Sequence, residues 1–232
     1  MRMSEKIYPI GIQNFEKIRK EGYFYIDKTA LIYRLVKTGS YYFLSRPRRF
    51  GKSLLISTLD AYFRGEKELF KGLAIEKLEK DWVQRPVLHI DLNIGKYDAP
   101  DSLDKILNEA LVKWESVFGT GAGESTLALR FKGVVERAYK QSGQRVAILI
   151  DEYDKPLLQA IGNEELQREY RNTLKPFYGV LKTMDGCIQF AMLTGVTKFG
   201  KVSVFSDLNN LEDLSMWNEY VTLCGVSNQE TQ

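Results

Sequence analysis

The chain has 232 residues, 44% hydrophobic and 27% charged, which suits one α/β domain or two small ones with a sizeable core. A formal net charge of +3 is too small to argue for nucleic acid by itself, and a single His89 beside two cysteines, Cys187 and Cys224, excludes a zinc set. No apolar run approaches membrane-spanning length and the charged start Met1–Lys6 is no signal peptide, so the expectation is a cytoplasmic protein with no membrane partner.

In chain order, Ile7–Phe15 reads as a loop-like lead-in and Phe15–Lys20 as a short helix. Tyr23–Ile26 is strand-like, and Asp27-Lys28-Thr29 caps a helix to about Lys37. Tyr41–Leu44 is an apolar run of buried-strand length, followed by a basic loop from Ser45 to Phe50 and then Gly51-Lys52-Ser53. Leu54, Leu55, Leu59 and Tyr62 recur at helical spacing. Strand, loop, Gly-Lys-Ser and helix is the layout of a phosphate-binding loop, in which backbone N–H groups at a helix N-terminus face phosphate oxygens. The expected cradle is Arg46, Pro47, Arg48, Arg49, Phe50, Gly51, Lys52, Ser53 and Leu54, with Lys52 neutralising the β and γ phosphates and the Ser53 hydroxyl on Mg²⁺. The general pattern asks for glycine where this chain has Arg46. The competing reading is an ordinary turn with a solvated lysine. A nucleotide at this loop would need a wall for its base, and the N-terminal segment offers Ile10, Gly11, Ile12 and Phe15, with Phe15 equally readable as core.

Further along, Pro86–Leu92 is a buried strand in which His89 and Asp91 alternate with apolar residues. His89 reads as a satisfied core residue and Asp91 as facing the strand's catalytic edge. Helical patterns cover 101–118 and about 126–141. Val146–Ile150 is an unbroken apolar run ending in Asp151-Glu152, as a central parallel strand would end at a ligand site. Asp151 is suited to hold Mg²⁺ and Glu152 to polarise a water for in-line attack on the γ-phosphate; the alternative is an acidic helix cap. A long helix spans 164–184, with Arg168, Arg171, Lys175 and Lys182 on a basic aspect and Pro176 as a kink or break. Cys187–Leu193 is a further strand that opens on Cys187 as a small core residue, and its tip residue Thr194 is the candidate to sense the γ-phosphate. Phe199–Leu211 reads as loop with Lys198 and Lys201 exposed, Ser215–Cys224 as aromatic-rich, and Ser227–Glu230 as a capping box lacking its helix.

Strands alternating with helices imply a P-loop NTPase-like three-layer αβα sandwich on a mostly parallel sheet. Three segments are expected: an extension over 1–40 packing on the nucleotide site, a core over 41–206, and the start of a truncated lid or linker over 207–232.

Four pieces, GIQNFEKIRKEGYFYIDKT at 11–29, FLSRPRRFGKSLL at 43–55, DEYDKPL at 151–157 and LTGVTKFGK at 193–201, resemble the bacterial AAA-ATPase-like domain family. The resemblance runs over essentially the whole chain and makes the Arg46 loop the family's own form. It implies a P-loop ATPase of the additional-strand, catalytic-glutamate type, with ATP and Mg²⁺ as cofactors. Lys52 and Ser53 would bind phosphate and metal, Asp151 the metal, Glu152 would be the base and Thr194 the sensor. Longer members carry a lid-like segment and a nuclease-like domain, so the module would regulate that domain, and the arginines completing the transition state would lie past Gln232. Lys198 or Lys201 would be their partial substitutes. Two rival readings stay open: a nucleotide-gated switch with little turnover that works by forming homo-oligomers, and a nucleic-acid-binding module using Arg46, Arg48, Arg49 and the basic 168–182 helix. The residues themselves do not separate ATP from GTP.

Overall fold

The computed structural model describes residues 7–198 and 211–225. In chain order its elements are α1 (Phe15–Lys20), α2 (Thr29–Thr38), β1 (Tyr41–Ser45), α3 (Lys52–Phe63), α4 (Ala74–Leu78), β2 (Val87–Asp91), α5 (Ser102–Phe118), α6 (Leu127–Ser142), β3 (Val146–Asp151), α7 (Lys155–Gln159), α8 (Glu164–Thr183), β4 (Ile188–Gly195) and a two-residue β5 (Glu212–Asp213). All five strands are parallel, in the order β2-β3-β4-β1-β5. β4 therefore lies between the strand that feeds the basic loop and the strand that ends in the two acids.

The sheet is parallel because its inner strands are apolar on both faces. Every residue of β3 is buried, as is all of β4 except Gln189, so each needs helices on both sides. One layer packs α5, α6 and α8 on Ile148, Ile150 and Leu193, with Phe131 stacked on Phe177 at a 4.5 Å centroid separation. The other packs α2 and α3 on Ala147, Leu149 and Met192 through Leu35, Leu55 and Leu59. Apolar positions three and four apart bring those helices down on one face.

Four sequence expectations are corrected. Tyr23–Ile26 joins no strand ladder; Phe24 N–H donates to Ile7 O and the aromatic side chains pack instead. Phe15 is fully buried against Tyr25 and Phe70. Pro176 lies inside one continuous helix, because Leu174, Phe177 and Tyr178 on either side are buried and hold the segment down. Cys187 is half-buried in a 3₁₀ turn before β4 and does not open the strand. Lys201 and the Ser227–Glu230 capping box lie outside the described residues.

Candidate functional site

The site forms at the C-terminal ends of β1, β3 and β4. Gly51 caps α3 in the left-handed region at φ 83°, and no side chain hydrogen-bonds the first turn, so the N-terminal amides of a 12-residue helix face outward. That is an anion seat by geometry and dipole. The glycine missing at position 46 is explained by the backbone: positive φ falls on Arg49 (67°) and Gly51, and Arg46 needs none. Arg46 instead donates from its backbone N–H to Gly195 O at 3.1 Å and from Nη1 to Ser45 O at 3.0 Å. Its role is to anchor the loop's start.

Lys52 is only 4% exposed. Its Nζ donates to Arg46 O at 3.1 Å and Pro47 O at 3.3 Å, and lies 3.1 Å from Glu152 Oε1. The basic loop and the acidic strand thus meet directly. Glu152 has φ 55°, a conformation that costs a non-glycine residue about 1–3 kcal/mol and is found where function over-determines it. Burial pushes its carboxyl above the usual glutamate range, against the pull of Lys52.

Asp151 is 3% exposed. Its Oδ1 accepts from the Glu152 N–H at 3.1 Å and from the Thr194 hydroxyl. Thr194 is fully buried; it sits beside the metal candidate, one layer below the surface of the site. A cleft of about 450 Å³ is lined by Ser53, Asp60, His89, Asp91 and Asp151. His89 is half-buried with Nδ1 3.3 Å from Asp60 Oδ2, and burial raises the Asp91 carboxyl. Among the described residues no group of three or more His, Cys, Asp or Glu could hold a metal ion. Ser53 and Asp151 on one cleft fit Mg²⁺ all the same, because this ion takes one or two protein ligands and completes its shell with phosphates and waters.

Two further cavities flank the loop. One, about 690 Å³, is lined by Gly11, Arg48, Arg49, Lys52, Ser53, Glu152 and Lys155 among others. The second, about 390 Å³, is walled by apolar and aromatic side chains including Ile10, Ile12, Phe24, Tyr25, Phe50 and Leu223. Pro9, Ile10, Ile12, Arg49, Gly51 and Leu54 border both. A cavity lined by charged residues thus adjoins an apolar slot. Phe15 lines neither, lying beneath as core, and Pro47 contributes its carbonyl to Lys52. Lys198 is exposed, as expected, and its Nζ is 3.1 Å from Asp213 Oδ2.

Sequence reading passed over Phe24, Tyr25, Leu223 and Cys224, which complete the apolar slot, and gave Tyr153 and Asp154 no role. The clue to the first pair was an aromatic run with no alternation. Burial pushes the Cys224 thiol up to about 12, so this slot holds it protonated.

The family described as "Predicted AAA-ATPase" matches residues 9–205. The chain belongs to this AAA-ATPase-like family. It is also 44% identical over 227 residues to an "Uncharacterized protein in vnfD 5'region" of Azotobacter chroococcum mcd 1, a match that covers 97% of this chain and 44% of that relative. The AAA-ATPase-like chain thus spans less than half the length of the curated relative it matches. The all-parallel α/β sheet is consistent with that family; no helix among the described residues is long and apolar enough to cross a membrane.

Proposed function

We propose that the chain is an ATP-binding, Mg²⁺-dependent NTPase module that hydrolyses ATP to ADP and phosphate. The observation that carries this reading is the Lys52–Glu152 contact at 3.1 Å, which joins an open helix N-terminus to a half-buried acid whose proton affinity is raised. Lys52 and the first amides of α3 hold the phosphates. Glu152 accepts the proton of the attacking water, and Asp151 and Ser53 hold the metal. Mg²⁺ bound there neutralises charge on the phosphate oxygens. The apolar slot receives the base, with Ile10, Ile12 and Phe50 at its wall. Thr194 acts through Asp151, fixing the carboxylate that meets the metal.

The same contact gives weight to a slow switch as the second reading. Lys52 is engaged by Glu152, so a phosphate must displace the carboxylate before either group can work. The deciding experiment is calorimetric titration of ATP with Mg²⁺ into wild type and Lys52→Ala, with phosphate release measured alongside. Binding lost in the variant and phosphate released by wild type supports the ATPase. Binding with release equal to that of Glu152→Gln supports the switch. No binding by wild type sinks both.

A further inference from the structure

Three residues past the metal candidate, Asp154 is 1% exposed, and its carboxylate is met by backbone and hydroxyl donors. These all come from one short segment after β4. The Val196 N–H donates to Oδ2 at 3.1 Å and the Thr197 N–H at 2.7 Å, and the Thr197 hydroxyl donates at 2.8 Å. Tyr153 closes the same segment from the other side: its N–H donates to Thr194 O at 2.9 Å and its hydroxyl to Thr197 O at 2.9 Å. Gly195 sits between them. A Cβ there would lie 2.5 Å from a Tyr153 ring carbon and 2.8 Å from Asp154 Oδ1, so only glycine fits.

The segment so held has a second set of bonds on its far side. Gly195 O accepts from Arg46 N–H at 3.1 Å and Val196 O from the Ser45 hydroxyl at 2.9 Å. Ser45 and Arg46 are where the phosphate loop leaves β1. The residue before Gly195, Thr194, holds Asp151. One tripeptide therefore touches the entrance of the phosphate loop and adjoins the support of the metal candidate, and a buried carboxylate fixes its backbone.

We propose that Asp154 is a positioning residue: by holding Gly195–Thr197 it sets the phosphate loop against Asp151 and Glu152. This rests on the ATPase reading for its chemical consequence, while the mechanical link stands on the hydrogen bonds alone. A carboxylate accepting several N–H and O–H bonds in a dry site is a strong and directional anchor. It does not touch the phosphates. Its effect is on where Arg46 begins the loop, so it bears on alignment for in-line attack more than on the gross holding of nucleotide.

The test uses the intact chain and two variants. Asp154→Asn keeps the shape but removes the charge and replaces one acceptor oxygen with an NH2 donor, which faces the Val196 N–H when the amide oxygen keeps the Thr197 bonds. Thr197→Val removes a single donor and leaves the carboxylate, so it serves if the first variant folds poorly. NMR-resolved amide exchange is read without nucleotide. Asp154→Asn is expected to speed exchange at Val196, Thr197 and Arg46 by about tenfold or more, the loss of charge-assisted hydrogen bonds, and Thr197→Val by less. With Mg²⁺ and ATP, kcat is expected to fall by about tenfold to a hundredfold while the Kd for ATP moves by less than about threefold. Unchanged exchange at Arg46 in both variants overturns the link. A uniform rise in exchange across the chain, with Kd and kcat lost together, also overturns it and leaves Asp154 a purely structural residue. A wild type that neither binds nor turns over ATP defeats the ATPase reading, yet the exchange at Arg46 still decides the link.

Discussion

Two lysine–glutamate pairs stand at opposite ends of the sheet and behave in opposite ways. At the N-terminal ends of the strands, beside Arg85 and Gln189, Lys37 Nζ lies 2.8 Å from Glu79 Oε2. At the C-terminal ends Lys52 Nζ lies 3.1 Å from Glu152 Oε1. Burial raises both carboxyls, but Glu79 also accepts from the Tyr62 hydroxyl and from the Lys80 and Asp81 N–H groups at 2.9 and 3.1 Å. Those bonds and Lys37 overrule burial and hold it at about 2. For Glu152 burial wins and the carboxyl is raised. A saturated pair fastens Glu79 to the rim of the sheet; an under-satisfied one is ready to trade partners. The number of donors, more than the distance, separates them.

Breaking the second pair from the lysine side gives the largest effect. Lys52→Ala is expected to weaken ATP with Mg²⁺ by about 100-fold or more in a calorimetric titration, the scale for truncating a buried charged contact. From the acid side the outcome splits. Glu152→Gln lowers phosphate release by about 100-fold, as for loss of a general base, yet leaves ATP affinity equal to or tighter than wild type because Lys52 is no longer held by a carboxylate. Weaker binding in Glu152→Gln would contradict the trade of partners.

Breaking the first pair moves stability alone. Glu79→Gln is expected to cost about 2 kcal/mol in urea unfolding, below the usual figure for a buried pair because Lys37 is partly exposed. Nucleotide affinity stays unchanged. The sign with pH follows from the lowered carboxyl: its contribution is present above the ordinary glutamate value of 4.5 and is lost as pH falls toward about 2. The variant therefore loses its disadvantage across that window. The smallest effect sharpens the contrast from the site. Since Glu152 is raised, it takes up a proton at a pH where an ordinary glutamate is ionised, so kcat/KM falls on acidification at a higher pH than a free carboxylate would dictate. A profile flat through that region would remove Glu152 as the base.

The sequence announced what chemistry and periodicity can announce. Lys52, Ser53, Asp151 and Glu152 carry diagnostic side chains next to apolar strands, and the parallel sheet follows from strands without alternation. What stayed hidden depends on partners far along the chain. Phe15 looked available for a base until Phe70, 55 positions away, was seen to bury it. Tyr23–Ile26 has β propensity, but a strand needs a neighbouring strand, and the Tyr23 and Phe24 N–H groups donate to Ile18 O and Ile7 O in loop and helix-end contacts instead. Asp154 stands in the acidic motif itself, and its hydrogen-bond partners are legible only once the chain after β4 brings Thr197 beside it.

The place of β4 also sets a length. Standing between β1 and β3, it keeps the phosphate strand and the acidic strand two ladder spacings apart, about 9.6 Å. Lys52, on the first turn of α3, and Glu152, just past the end of β3, meet over that interval. The parallel ladder fixes that interval whatever the loop residues on either side do. The middle strand works as a gauge block: it contributes little to the chemistry directly, and decides how much room the chemistry has.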